Sequence, residues 1–184
     1  MREPTFSKTS VSRRTVRLVT AALLLALCLL LPSLVGQLPH VGSMLLPMHL
    51  PVLLCGFLCG PKYGMLVGVI APLLRFGLFG APPPIPSGVC MCVELAAYGF
   101  FSGVLYAMLY QRKAGIWLAL GGAMLLGRIA WLAACLIVYP LLAGRIFTFS
   151  MFLAGAFLNA WPGILLQLLL VPAIVRARKR FQPI

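Results

Sequence analysis

The chain has 184 residues, of which 62% are hydrophobic and 9% are charged, and its formal net charge is +13. Several apolar runs approach or exceed the roughly 20 residues that cross a ~30 Å hydrocarbon core, which excludes a soluble globular protein and predicts a polytopic membrane protein. The length leaves room for one helical bundle without a separate soluble domain, so energy-consuming machinery is expected on another chain.

The N-terminal region combines a basic segment with a long apolar run. Residues 1–14 predict a polar cytoplasmic lead. The run over 15–35 is long and lacks a small-residue cleavage site, so it predicts a retained helix and not a signal peptide. Ala22 and Ala26 lie one turn apart on it, a spacing that lets another helix approach closely in lipid. Ordinary packing within the bundle is the alternative.

Two further apolar runs flank the sequence GPKYG at 60–64. The run over about 47–59 is short for a full crossing, whereas the run over 63–79 is longer. The uncharged stretch 36–46 precedes this hairpin and predicts an outer loop. The stretch 80–88 follows it and contains four prolines, which favour a stiff extended loop able to serve as a lid.

Three more spans complete the predicted fold. They cover about 89–110, 115–141 and 150–175, and a basic tail follows over 177–184. Pro162 and Gly163 predict a kink in the last span, because proline removes a helical hydrogen bond. The sequence thus predicts an all-α integral membrane protein, a single six-helix transmembrane domain over 15–176.

The basic residues predict the orientation of the bundle. If both termini are cytoplasmic, 12 of the 15 Lys and Arg residues lie on the inner side, in the two terminal segments and in the turns at 62 and 112–113. Because cytoplasmic loops of membrane proteins carry excess positive charge, six helices with both termini in the cytoplasm are predicted.

Polar residues within the spans indicate a functional site. A charge inside a membrane costs several kcal/mol unless it is paired or faces a cavity. Counting about 1.5 Å per helical residue places four such side chains about 9–13 Å below the outer surface. They belong to four different predicted helices and are Arg75, Glu94, Arg128 and Asn159.

The residues near this layer suggest a substrate pocket. They are one histidine and three aromatic residues, His49, Tyr98, Trp131 and Trp161. Two arginines against one carboxylate favour an anionic ligand, such as a carboxylate held by both arms of an arginine. Two alternatives stay open: Glu94 and Arg128 neutralise each other without a ligand, or Arg75 extends to the membrane surface.

Enzymatic functions are disfavoured by missing groups. The chain contains no aspartate and no GxxxxGK[ST] phosphate loop, and its six cysteines lie in apolar surroundings without His or Asp neighbours. We therefore expect no catalytic residue, no metal and no cofactor. A self-sufficient small carrier and a structural membrane protein without a ligand remain as alternatives to a capture subunit, although only Glu94 could relay protons in an ion-coupled carrier.

Several motifs resemble those of a known transporter family. PMHLPVLLCG at 47–56 and GPKYG at 60–64, with Gly68 and Pro72, are similar to the second and third helices of substrate-binding S components of energy-coupling-factor (ECF) vitamin transporters. VELAAYG at 93–99 and AWPGI at 160–164 resemble the branch that includes proposed pantothenate carriers. The similarity extends over nearly the whole chain.

This resemblance implies a role and a set of partners. The chain would capture a vitamin or related micronutrient outside a prokaryotic plasma membrane, with residues 36–46 and 80–88 closing over it. A transmembrane T subunit and two ABC-type ATPases would supply the energy, and the S component would topple in the bilayer to deliver its substrate. Ala22 and Ala26 would provide the docking face for the T subunit. Arg75 departs from the small or uncharged residue expected there.

Overall fold

The computed structural model describes residues 12–35 and 44–181, and side chains up to residue 178. Three predicted segments lie at least partly outside these ranges: most of the N-terminal lead, residues 36–43 of the first loop, and the end of the tail. All regular structure within them is helical. The helices are α1 (Arg13–Val35), α2 (His49–Cys59), α3 (Pro61–Phe79), α4 (Val89–Leu109), α5 (Gly115–Ala143), α6 (Phe149–Leu153) and α7 (Trp161–Phe181), with π-helical turns at Pro84–Gly88 and Ala154–Leu158.

Five segments of the described chain are long and apolar enough to cross a membrane. They are Arg13–Val35, Pro61–Phe79, Pro84–Leu109, Gly115–Ala143 and Trp161–Arg178. The bundle also exposes many large apolar side chains, as expected for helices that face lipid. The second predicted span is a helix of 11 residues, too short to cross alone. Six crossings therefore stay a prediction.

Glycines bring the central helices into close contact. Helix α4 packs against α2, α3 and α5. A Cβ atom on Gly99 of α4 would overlap the Gly64 carbonyl of α3, and a Cβ atom on Gly64 would overlap the Gly99 carbonyl. Gly56 of α2 also lies against Gly99. Small residues allow this approach of backbones in lipid, and these three glycines, the glycine contact, hold α2, α3 and α4 together.

The turn between α2 and α3 is tight and is tied to the last helix. Gly60 has φ +98°, a value that favours glycine, and Pro61 begins α3 where its missing N–H is not needed. Arg178 of α7 donates from Nη1 to the carbonyl oxygen of Leu58 at 2.9 Å. This bond satisfies a carbonyl in the last turn of α2, which would otherwise lack a helical partner.

The predicted span over 150–175 is interrupted in the structure. After the short α6, the backbone widens into the π-helical turn, where Asn159 N–H donates to Ala154 O at 2.9 Å. Helix α7 then starts at Trp161, with Pro162 as its second residue. A proline lacks the N–H that would continue the preceding helix, so the chain restarts its helix here.

Candidate functional site

A buried ion pair joins α4 to α5. Arg128 Nη1 donates to Glu94 Oε1 at 2.7 Å, and the two residues are only 6% and 4% exposed. Gly127 lies against the ring of Tyr98, where a Cβ atom would come within 2.9 Å of ring carbon Cδ1. Because Gly127 has no side chain, the Tyr98 ring fits against the backbone of α5. The centroid of this ring is 6.0 Å from the Arg128 guanidinium carbon. Glu94 and Arg128 therefore pair with each other.

His49 joins this pair from the first position of α2. It is 3% exposed, and its ring meets the Tyr98 ring edge to face at 5.2 Å between centroids. His49 Nε2 lies 3.3 Å from Glu94 Oε1, but the two groups are not oriented to form a hydrogen bond. Three helices thus bring four of the predicted site residues together. We refer to His49, Glu94, Tyr98 and Arg128 as the polar cluster.

The polar cluster retains unused hydrogen-bonding capacity. Arg128 Nη2, His49 Nδ1 and His49 Nε2 are buried and have no hydrogen-bond partner among the described residues. Leaving such a group unpaired costs about 1–3 kcal/mol, and more when the group is charged. Buried groups of this kind are expected to bind a ligand or ordered water, so the cluster has the chemistry of a binding site.

An aromatic wall continues from the polar cluster along α5. Trp131 places its ring centroid 5.8 Å from the Arg128 guanidinium carbon. The same ring packs against Phe147 at 5.7 Å and Phe152 at 5.6 Å, and Tyr139 contacts Phe147 at 5.0 Å. We call these four residues the aromatic wall. It supplies an apolar surface beside the charged groups, the usual composition of small-molecule pockets.

A cleft lies at the end of α5, beyond the aromatic wall. Its volume is 430 Å³, and its lining comes from the proline-rich segment and from the end of α5: Pro83, Ile85, Pro86, Ser87, Tyr139, Leu142, Ala143 and Arg145. This cleft was not predicted from the sequence. The one available signal was Arg145, because it is the one cation between the predicted spans 115–141 and 150–175.

Three predicted site residues lie away from the polar cluster. Arg75 Nη1 donates to Leu29 O at 2.9 Å and to Ser33 Oγ at 3.2 Å, both on α1. Asn159 is exposed after the π-helical turn, and Trp161 is 57% exposed. The layer inferred from counting residues is thus not assembled as a whole. A role in binding for these three residues stays a prediction.

One further buried polar residue lies on the last helix. Gln167 is buried on α7, and its Nε2 has no hydrogen-bond partner within the described residues. Among the same residues, no group of three His, Cys, Asp or Glu side chains could hold a metal ion.

Comparisons with known proteins identify one family. The model of the family described as "ECF transporter, substrate-specific component" matches residues 16–175, which is most of the chain. Searches of curated proteins and of solved structures give no significant match. The matched range contains the polar cluster and the aromatic wall.

Proposed function

This chain belongs to the ECF transporter substrate-specific component family, and from that membership we propose that it captures a small vitamin or related micronutrient for an ECF-type importer. The family makes it a transporter subunit and not an enzyme, and its apolar helices make it a multi-pass membrane protein. We further propose a prokaryotic plasma membrane as its location, with both termini in the cytoplasm.

One observation carries the assignment of the pocket. The polar cluster is buried among helices that face lipid, and three of its nitrogen atoms make no hydrogen bond within the described part of the chain. A pair that served only to neutralise itself would leave Arg128 Nη2 and both ring nitrogens of His49 buried without hydrogen bonds, at a cost in free energy. A ligand that accepts hydrogen bonds from both residues would satisfy these groups.

The geometry also suggests how the ligand is held. Arg128 uses Nη1 for Glu94, so Nη2 is the arm that remains for a ligand. We propose that an anionic group, such as the carboxylate of pantothenate or a related compound, binds between Arg128 Nη2 and His49. The sequence predicted that both Nη atoms of one arginine bind the carboxylate, whereas in this proposal Arg128 and His49 each donate one hydrogen bond to it. The rest of the ligand would pack against Tyr98 and Trp131.

Mass spectrometry of the purified protein tests this function. A small organic acid is expected to copurify with the chain, and adding the identified compound should stabilise the protein against heat. At 100 times its dissociation constant, a ligand adds about 2.7 kcal/mol to the free energy of unfolding. A protein that carries no small molecule, and that no vitamin stabilises, would contradict the proposal.

Delivery of the substrate would require partner chains. We propose that a transmembrane T subunit and two ABC-type ATPases drive import, and that the bundle topples when it docks on them. Ala22 and Ala26 are exposed on α1, opposite the buried residues Ala21, Leu24 and Cys28. This strip of small residues suits close approach by another helix, and the resemblance implies that this helix belongs to the T subunit.

Substituting leucine for both Ala22 and Ala26 should uncouple binding from transport. We expect the double variant to bind its ligand normally but to lose about tenfold or more of its uptake, because 1.4 kcal/mol lost at the interface is enough for that change. Uptake of labelled substrate and copurification of the ATPases would be measured. Ala133→Leu, at an exposed alanine of α5, is the matched control. Full uptake by the double variant would remove the docking assignment.

A further inference from the structure

We propose that the polar cluster binds the anionic group of its substrate together with one proton, and that His49 takes up this proton. The proposal rests on the proposed function, since it concerns the same pocket. It adds a pH dependence to capture and assigns His49 as the residue that determines it. The proton comes from bulk water and is released again when the ligand leaves.

The charges of the cluster lead to this inference. Glu94 and Arg128 are in contact and neutralise each other. Arg75, the other arginine of the layer predicted about 9–13 Å below the outer surface, donates to two oxygens of α1. A ligand carboxylate would therefore place two anions against one cation, in a site whose charged residues are at most 6% exposed. An uncompensated buried charge costs several kcal/mol, so a second cation is needed.

His49 is placed to become that cation. Its Nε2 is 3.3 Å from Glu94 Oε1, and both ring nitrogens lack a hydrogen-bond partner within the described residues. A neutral imidazole donates from one nitrogen only, whereas a protonated imidazole donates from both. With its ring turned toward Glu94 Oε1, protonated His49 could therefore donate to Glu94 and to the ligand at once. Each of the two carboxylates, that of Glu94 and that of the ligand, would then lie beside both a positively charged arginine and a positively charged histidine.

The groups around His49 leave it as the site of proton uptake. Glu94 and Tyr98 face it from α4, and Arg128 reaches the same Glu94 oxygen from α5. The thiol of Cys28 on α1 contacts the carbonyl oxygen of the preceding residue, Met48, at 3.7 Å. Of these side-chain types, histidine is the one that ordinarily changes its charge between pH 5 and 8.

Calorimetric titration of the purified full-length chain tests the proposal. The probes are four vitamin acids, pantothenate, nicotinate, biotin and lipoate, each paired with an uncharged analogue, pantothenol, nicotinamide, biotinamide and lipoamide. Titrations at about pH 5 to 8 cover the range in which histidine ordinarily changes its charge. Comparing phosphate with Tris buffer counts the protons taken up, because the two buffers differ in ionisation enthalpy.

The expected result is specific to the acids. One acid should bind, its affinity should fall by up to about tenfold per pH unit as the pH rises, and close to one proton should be taken up at the upper end. Binding of its uncharged analogue should be weaker and independent of pH. In His49→Gln, the acid should bind weakly, with no pH dependence and no proton uptake.

The contrary results are equally distinct. Tight binding of an acid at constant affinity across this range, without proton uptake, would overturn the proposal. So would a pH dependence that persists in His49→Gln, or a wild-type protein that binds none of the acids. Capture of an uncharged analogue alone would refute the proton linkage and leave the proposed function standing. Without any binding or any copurified small molecule, the proposed function would fail as well.

Discussion

Replacing Arg128 by methionine is expected to abolish capture of the substrate. The side chain provides the one guanidinium of the polar cluster, and its Nη2 is free for the ligand among the described residues. Truncating one member of a buried, hydrogen-bonded charge pair costs about 2–5 kcal/mol, so the dissociation constant should rise by about 30-fold or more. The measurement is ligand binding by calorimetry, with uptake by cells as a second readout.

This variant also leaves Glu94 buried without its partner. An unpaired buried charge destabilises a protein by about 3–5 kcal/mol, which could mimic a loss of binding. The double variant Glu94→Met/Arg128→Met removes both charges and is the control. It should regain most of the thermal stability, because apolar residues often replace a buried ion pair at little cost. It should still not bind the ligand. Normal binding by either variant would remove Arg128 from the site.

Replacing Gly99 by leucine is expected to prevent the bundle from folding. A Cβ atom at this position would overlap the Gly64 carbonyl, and a backbone carbonyl cannot turn aside as a side chain could. Helices α3 and α4 would have to separate, which would also displace Glu94 and Tyr98 on α4. We expect destabilisation by more than about 4 kcal/mol, the range that marks a disrupted core. Thermal unfolding in detergent and the yield of monodisperse protein would measure it.

Gly121→Leu is the matched control for this change. Gly121 also lies inside a long apolar helix, but a Cβ atom there meets no other atom within 4 Å. Leucine is a better helix former than glycine, so this variant should keep its stability or gain about 1 kcal/mol. Equal stability of Gly99→Leu and Gly121→Leu would show that the glycine contact does not hold α3 and α4 together.

The residues of the polar cluster were predictable because the helices that carry them are surrounded by the hydrocarbon of a membrane. Glu94 and Arg128 stand in apolar runs, and a charge in hydrocarbon has to be paired or face a cavity. His49, Tyr98 and Trp131 were predicted from their estimated depth along the helices, and the structure places all three beside this pair. The cleft lined by Arg145 was missed, because a loop cation gives no indication of the surfaces that face it.

Arg75, Asn159 and Trp161 show the limit of counting along a helix. Such a count estimates how deep a residue lies, but not the direction in which its side chain points. The π-helical turn before α7 changes that direction for all residues that follow, since it adds a residue to the turn. Arg75 turns to α1 and bonds Leu29 O, although it lies on the same apolar helix as Gly64 and Gly68.

The sequence by itself determined that this chain is a bundle of apolar helices in a membrane, and its motifs resembled the family that the comparison then established. These properties follow from composition, run length and local motifs, which do not depend on how the helices are turned. Only the tertiary structure decided that Glu94 pairs with Arg128 and that His49 lies beside them. That choice depends on the rotation of each helix about its axis, which the glycine contact limits for α2, α3 and α4, and the packing of Gly127 against the Tyr98 ring limits for α5.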